Sequence, residues 1–156
     1  MRVGIGVDAH ALVDGVPLVL GGVEIESPKG LAGHSDGDVI SHALIDAVLG
    51  AAGLGDIGSL FPSDSGEWKG ARSLDLLTRA VEPVRAFGLT LANADCVLIG
   101  EAPRIAPFRA EMHERLADAM GVAPGLVTVR ATTTDRLGFT GRGEGLAAIA
   151  VALLDG

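Results

Sequence analysis

The chain has 156 residues, 48% of them apolar, and a formal net charge of −8. The length suits one domain spanning 1–156, and the apolar share suits a real core, built from Ala, Val, Leu and Ile because aromatics are only 3%. The acidic balance argues against a nucleic-acid partner, which selects a basic excess, so an anionic ligand must be held by local positive features. The single cysteine, Cys96, permits no intrachain disulfide and reads as a small core residue in a reducing compartment. The start, Met-Arg-Val-Gly-Ile, carries no signal-peptide pattern, and the apolar run from Gly145 to Leu154 is too short to cross a bilayer. A cytoplasmic protein with no membrane partner is expected.

In chain order, residues 2–13 and 16–26 read as two strands joined at Asp14-Gly15, a hairpin turn signal. Residues 27–34 read as loop. Ser35 or Asp36 can cap a helix running to Ala52, with an apolar stripe of Val39, Ala43, Leu44, Ala47 and Val48. Residues 53–71 show almost no periodicity, and a loop of that length is usually functional or mobile. A second helix fits Ser73 to Phe87, with Pro83 expected to kink or break it. Residues 89–100 suit a strand, a third helix ends near Met120, and 126–133 suit a short strand. The tail from 144 to 154 fits either a helix or a buried strand. The pattern implies an α/β chain of the two-layer α+β kind: one mixed sheet with its helices on one face.

Three potential metal ligands stand out: Asp8, His10 and His42. Asp8 and His10 are two apart, so a strand points both to one face. His42 lies in a helical pattern that can bring it there. Two imidazoles and a carboxylate leave the fourth position of a tetrahedral zinc ion open. Any one histidine alone reads as a core residue, but three of the chain's four fall between 10 and 42. Asp38 and Asp46, a helical turn either side of His42, are candidates to orient its ring.

Other segments carry possible chemistry. His34-Ser35-Asp36-Gly37-Asp38 leads into a helix N-terminus, which suits a phosphate, while Ser35 also suits a plain cap. Asp56 in Gly55-Asp56-Ile57-Gly58 can accept from a diol or make an Asx turn. The run Ala131-Thr132-Thr133-Thr134-Asp135 offers hydroxyls and a hard oxygen ligand to a diphosphate with magnesium. Gly138-Phe139-Thr140-Gly141-Arg142-Gly143-Glu144-Gly145 looks like an anion-binding loop. His113 reads as a surface helix residue without a role.

Taken in order, these motifs, with Leu60-Phe61-Pro62 and Leu137 to Gly145, closely resemble the 2-C-methyl-D-erythritol 2,4-cyclodiphosphate synthase family over essentially the whole chain. The resemblance implies an enzyme of the non-mevalonate isoprene pathway, a phosphorus–oxygen lyase. Its substrate is 4-diphosphocytidyl-2-C-methyl-D-erythritol 2-phosphate, whose 2-phosphate attacks its own β-phosphorus and releases CMP. It implies zinc on Asp8, His10 and His42, and a second divalent cation, magnesium or manganese, beside Asp135. His34 and Thr133 would steady the transition state. The implied substrate contacts are Asp8, His10, His34, Ser35, Asp56, Ile57, Gly58 and Phe61 on one side. On the other are Gly100, Ala102, Pro103, Arg104, Ile105, Ala106, Thr132, Thr133, Thr134, Asp135, Phe139 and Arg142. A homotrimer is implied, with sheets packed around its axis, active sites between subunits and a central channel near Phe139, Arg142 and Glu144. The chain departs from the family pattern at Ser63-Asp64-Ser65, Pro83, Arg104 and Asp135. Two rival readings are a zinc hydrolase using Asp56 as base, and a non-catalytic trimer binding isoprenoid diphosphates in its channel.

Overall fold

In the computed structural model, which describes residues 1–156, the N-terminal alternation forms β1 (Arg2–Asp14). Contrary to the hairpin expected from the turn signal at Asp14-Gly15, it does not pair with residues 16–26. That segment breaks at Gly21-Gly22 into a small hairpin, β2 (Leu18–Leu20) and β3 (Val23–Ile25). Both glycines have positive φ, 57° and 75°, the requirement of a tight two-residue turn. β1 pairs instead with β4 (Lys29–Leu31), inside the stretch expected to be loop, and with the distant β7 (Gly145–Asp155).

α1 (Val39–Ala52) follows, and 12 of its 14 residues are buried. The expected single stripe was too narrow: the helix is wrapped on nearly all sides, as an apolar-all-round helix must be. The 53–71 stretch contains α2 (Ile57–Leu60) and a short 3-10 turn, Ser63–Ser65. α3 (Ser73–Ala86) runs through Pro83 without breaking, because Pro83 falls in the last turn and the carbonyl that loses its donor belongs to exposed Arg79. β5 (Thr90–Ile99), α4 (Arg109–Met120), β6 (Val127–Thr132) and α5 (Gly138–Gly141) complete the order.

The sheet order is β4-β1-β7-β5-β6, all neighbours antiparallel except the parallel β5/β6 pair that α4 connects. The ambiguous tail is thus the central strand. Its alanines suit that place, since Ala148, Ala150 and Ala152 are fully buried under the helix layer. α1, α3 and α4 cover one face only. The other face presents Val3, Ile5 and Val7 at 69%, 65% and 59% exposure, beside Ile149 and Val151. The more apolar side of β1 therefore faces outward, and its glycine-rich side faces the helices. No single helix is long and apolar enough to cross a membrane.

The reason for that inversion is steric. A Cβ on Gly6 would collide with the Ala43 carbonyl and the Ala47 amide of α1, and one on Gly4 with the Ala47 carbonyl and the Ala51 amide. The helix backbone rests directly on the strand backbone, with no side chains between. Gly6→Ala is therefore expected to cost about 1–3 kcal/mol, as overpacking in a filled core does. Urea unfolding would show it as a lowered midpoint, and an unchanged midpoint would contradict the close approach.

Candidate metal centre

β1 carries Asp8 and His10 on its helix-facing side, and α1 carries His42 in its first turn onto the same spot. Asp8 Oδ2 lies 2.7 Å from His10 Nε2 and 3.0 Å from His42 Nδ1, and the two ring nitrogens are 3.1 Å apart. A tetrahedral ion bonded at about 2.0–2.1 Å spreads its ligand atoms to about 3.3 Å. The cluster needs to open by only a few tenths of an ångström to receive one. Its donor set, two imidazoles and a carboxylate all on one side, suits a divalent cation.

The electrostatics fit that use. Burial raises the Asp8 carboxyl, but hydrogen bonds to His10 and His42 outweigh it and hold the group at about 2. The hydrogen bond from Asp8 raises His10, against burial, and a backbone hydrogen bond to Ala32 adds to the rise. Asp8 thus offers a carboxylate at any neutral pH, while His10 holds a proton more tightly than a free imidazole and a metal must compete with it.

The expected helix start is corrected. The N-cap of α1 is Asp38, not Ser35 or Asp36. Its fully buried carboxylate accepts from the amides of Gly21, Gly22 and Ser41 and from the Ser41 hydroxyl, at 2.7–3.2 Å. At the amide end of α1 the protein's own carboxylate therefore takes the Ser41 amide. Asp36 instead serves α3, accepting from the Ser73 amide at 3.0 Å and from the Ser73 hydroxyl. Backbone amides of Gly33, His34 and Ser35 donate to no other group in the chain and remain open to an anion.

Neither the Asp38 nor the Asp46 carboxylate bonds the His42 ring; Asp38 meets His42 only through its backbone carbonyl, which accepts from the His42 amide at 3.1 Å. Asp46 accepts from the Ile57 amide at 2.7 Å and so pins the Ile57–Gly58 corner. The ring's Nε2 meets two hydroxyls, Ser35 Oγ and Ser73 Oγ, each at 2.9 Å. Sequence reasoning missed Ser73 because a serine at a helix start reads as a cap, and nothing local says that it points inward.

A pocket of about 520 Å³ opens over the cluster, lined by Asp8, His10, His34, Ser35, His42, Ile57, Gly58 and Phe61, with Pro62 to Asp64, Trp68 and Leu76. The chain's one tryptophan is a second missed residue: Trp68 packs edge-on against Phe61 at 5.0 Å, with the Arg79 guanidinium 5.2 Å from its ring centre. Asp56 lies beside the pocket and caps α2, accepting from the Ser59 amide and hydroxyl at 2.8 and 2.6 Å. A larger groove of about 910 Å³, lined by the β2–β3 hairpin, the Ala32–Asp36 loop and Phe108, contains no comparable ligand set.

The other expected residues stand apart. Thr132 sits in register with Ile99, Ile99 with Ala147, and Ala147 with Ala9. Three strand spacings, about 14 Å, thus separate β6 from the metal ligands on one row of the sheet. There, Gly100 donates to the Thr132 carbonyl at 3.1 Å and Arg136 donates from its amide to Glu101 at 2.8 Å, joining 100–106 and 132–136 into one corner. Asp135 and Arg136 adopt φ of 51° and 66°, left-handed conformations that turn the chain sharply. Arg104, Thr132, Thr133 and Asp135 are exposed, Ile105 is buried, and the Thr134 hydroxyl is engaged with Leu137 and Thr140. Arg142 pairs with Glu144 at 2.7 Å beside exposed Phe139.

The fold and the cluster define a two-layer α+β protein with a divalent-metal cradle open to a pocket. The YgbB family model matches residues 1–155, and the chain belongs to that family. The 2-C-methyl-D-erythritol 2,4-cyclodiphosphate synthase of Pelotomaculum thermopropionicum is 53% identical over 154 residues, 99% of this chain and 95% of that one. A solved structure of a synthase of that name, in a CDP-bound form, is 40% identical with a TM-score of 0.90, covering 99% of this chain and 100% of that one. The bifunctional IspDF of Campylobacter jejuni is 42% identical with a TM-score of 0.94, covering 98% of this chain but 42% of that longer one.

In protein stripped of metal, the Asp8–His10 pair sets a pH window. Asp8 is depressed from 3.8 to about 2, so its contribution is present above the unfolded value and lost as pH falls toward 2. His10 is raised from 6.5, so its contribution is present below that value and lost as pH rises through the higher folded one. Stability from the pair is therefore expected to be greatest between those limits, and Asp8→Asn should flatten the profile. Melting curves of wild type and variant across pH 3–9 check this, and identical profiles would contradict it.

Proposed function

We propose that this chain converts 4-diphosphocytidyl-2-C-methyl-D-erythritol 2-phosphate to 2-C-methyl-D-erythritol 2,4-cyclodiphosphate and CMP. The observation that carries the reading is the Asp8–His10–His42 cluster opening into a pocket, in a chain whose relatives bear that enzyme's name over their full length. In this reaction a 2-phosphate oxygen forms a bond to the β-phosphorus. The bond from that phosphorus to the α–β bridging oxygen breaks, and CMP leaves with the oxygen. By bond type this is a phosphorus–oxygen lyase of isoprene biosynthesis.

The main obstacle is repulsion between two anions, so catalysis is positioning plus charge neutralisation. Zinc on Asp8, His10 and His42 would supply Lewis-acid withdrawal of charge from the phosphoryl oxygens. The chain's own share at this end comes from His34 and Ser35, which line the same pocket, and from their free amides. Ile57, Gly58 and Phe61 wall the erythritol side, with Asp46 fixing their backbone and Asp56 at its edge. The cytidine and diphosphate would rest on Gly100, Ala102, Pro103, Arg104, Ala106, Thr132 and Thr133, with magnesium or manganese at Asp135. Buried Ile105 and engaged Thr134 would contribute through their backbone.

The 14 Å gap within one chain supports a homotrimer in which a neighbour's 100–106 and 132–135 corner completes each pocket. The uncovered Val3, Ile5, Val7 and Val151 face supports the same assembly, since an apolar surface of that extent marks an interface. Phe139, Arg142 and Glu144 would then line the channel on the axis.

His42→Ala is expected to lose both zinc and turnover. His34→Ala is expected to keep zinc and lose about 10²–10³ in rate, roughly 3–4 kcal/mol, as one lost donor does. Phosphorus NMR of the authentic substrate with metal analysis reads both; full activity without metal would contradict the first, and zinc loss in the His34 variant the second. Sedimentation should give a trimer at micromolar concentration, and a monomer would contradict the shared site.

A further inference from the structure

We propose that Ser73 and Asp36 are positioning residues that fix which nitrogen of His42 meets the metal. The inference rests on the metal reading above and adds residues to it. His42 presents Nδ1 to Asp8 and His10, so a metal there needs the Nδ1 lone pair. The proton must then sit on Nε2, and the group that accepts it sets the tautomer.

Two hydroxyls lie at 2.9 Å from Nε2, and they are not equivalent. Ser73 is fully buried. Its hydroxyl proton is committed to Asp36 Oδ1 and its backbone amide to Asp36 Oδ2, so one carboxylate grips it at two points. A carboxylate only accepts, so Ser73 must donate to it. The Ser73 oxygen is left with lone pairs alone to offer, which suit Nε2–H of His42 at 2.9 Å and leave room for the Ser35 hydroxyl to donate at 3.2 Å. Asp36 is held in turn by the Asp38 amide at 3.1 Å. The result is a chain of carboxylate, hydroxyl, imidazole and metal position, anchored at the start of α3.

Ser35 differs. It is half-buried, lines the pocket and accepts from the Gly37 amide at 3.3 Å, but no carboxylate fixes its proton. Its hydroxyl can turn to a phosphate without releasing the ring, because Ser73 keeps Nε2–H occupied. The two serines thus divide the work: Ser73 orients the ligand and Ser35 serves the substrate.

The test measures zinc affinity by competition with a chromophoric chelator and the His42 ring state by ¹⁵N NMR of the zinc-loaded protein. Ser73→Ala is expected to weaken zinc about 10–100-fold, the usual effect of removing a ligand's hydrogen-bond partner. Ser35→Ala should stay near the wild-type affinity. In the wild type, Nε2 of His42 should carry a slowly exchanging proton, a readout that stands even if Ser73→Ala does not fold. Wild-type affinity in Ser73→Ala, or a proton on Nδ1 of His42, would overturn the inference. If His42→Ala loses zinc while Ser73→Ala keeps it, only this inference fails; if the wild type binds no zinc, the metal reading fails with it.

Discussion

Everything at the site depends on how closely α1 approaches β1. Gly4 and Gly6 remove the side chains that would separate them, so helix backbone lies on strand backbone. Two residues further along, the same strand face changes from glycine to Asp8 and His10. One residue before Ala43, which rests on Gly6, His42 reaches down to meet them. With an ordinary side chain at position 6 the helix would stand off, and the distances of 2.7–3.1 Å between ligand atoms would not survive. The metal cradle is a consequence of that backbone contact, and Asp38, bonded to both Gly21-Gly22 and Ser41, holds the helix start in register with it.

This arrangement gives the sheet two unlike faces. The glycine-rich side of β1 takes the helices, so its valines and isoleucine point outward, uncovered by any helix. The same row of the sheet carries Asp8 and His10 at one end and the Thr132 corner, about 14 Å away, at the other. With a net charge of −8 the chain has no basic field to gather a polyanionic substrate. In the proposed reaction, a cation on Asp8, His10 and His42, the free amides of Gly33 to Ser35 and exposed arginines such as Arg104 would do the neutralising locally.

The gathering of Asp8, His10 and His42 was legible in the sequence because strand alternation and a histidine in a helical pattern are local facts. The strand positions of β5 and β6 and the end of α1 at Gly53 were legible for the same reason. What failed was non-local. The 16–26 segment read as one long strand, yet Gly21-Gly22 folds it on itself, and β1 finds its partner about 140 residues away in β7. The tail looked equally helical and extended until the demand for small residues in a central strand decided it. Asp36 and Asp38 sit two apart and look interchangeable, but one caps α1 and the other caps α3, 37 residues on. The partner of His42 was sought one turn away along its own helix and came instead from the start of another.

The most direct test of the central claim is X-ray absorption at the zinc edge of the loaded protein, with and without CDP. The account expects two imidazole nitrogens and one carboxylate oxygen at about 2.0–2.2 Å, with a fourth light ligand. On adding CDP, that ligand should be replaced and a phosphorus shell should appear. A sulfur ligand from Cys96, a zinc bound by histidines alone, or a first shell unchanged by CDP would contradict it.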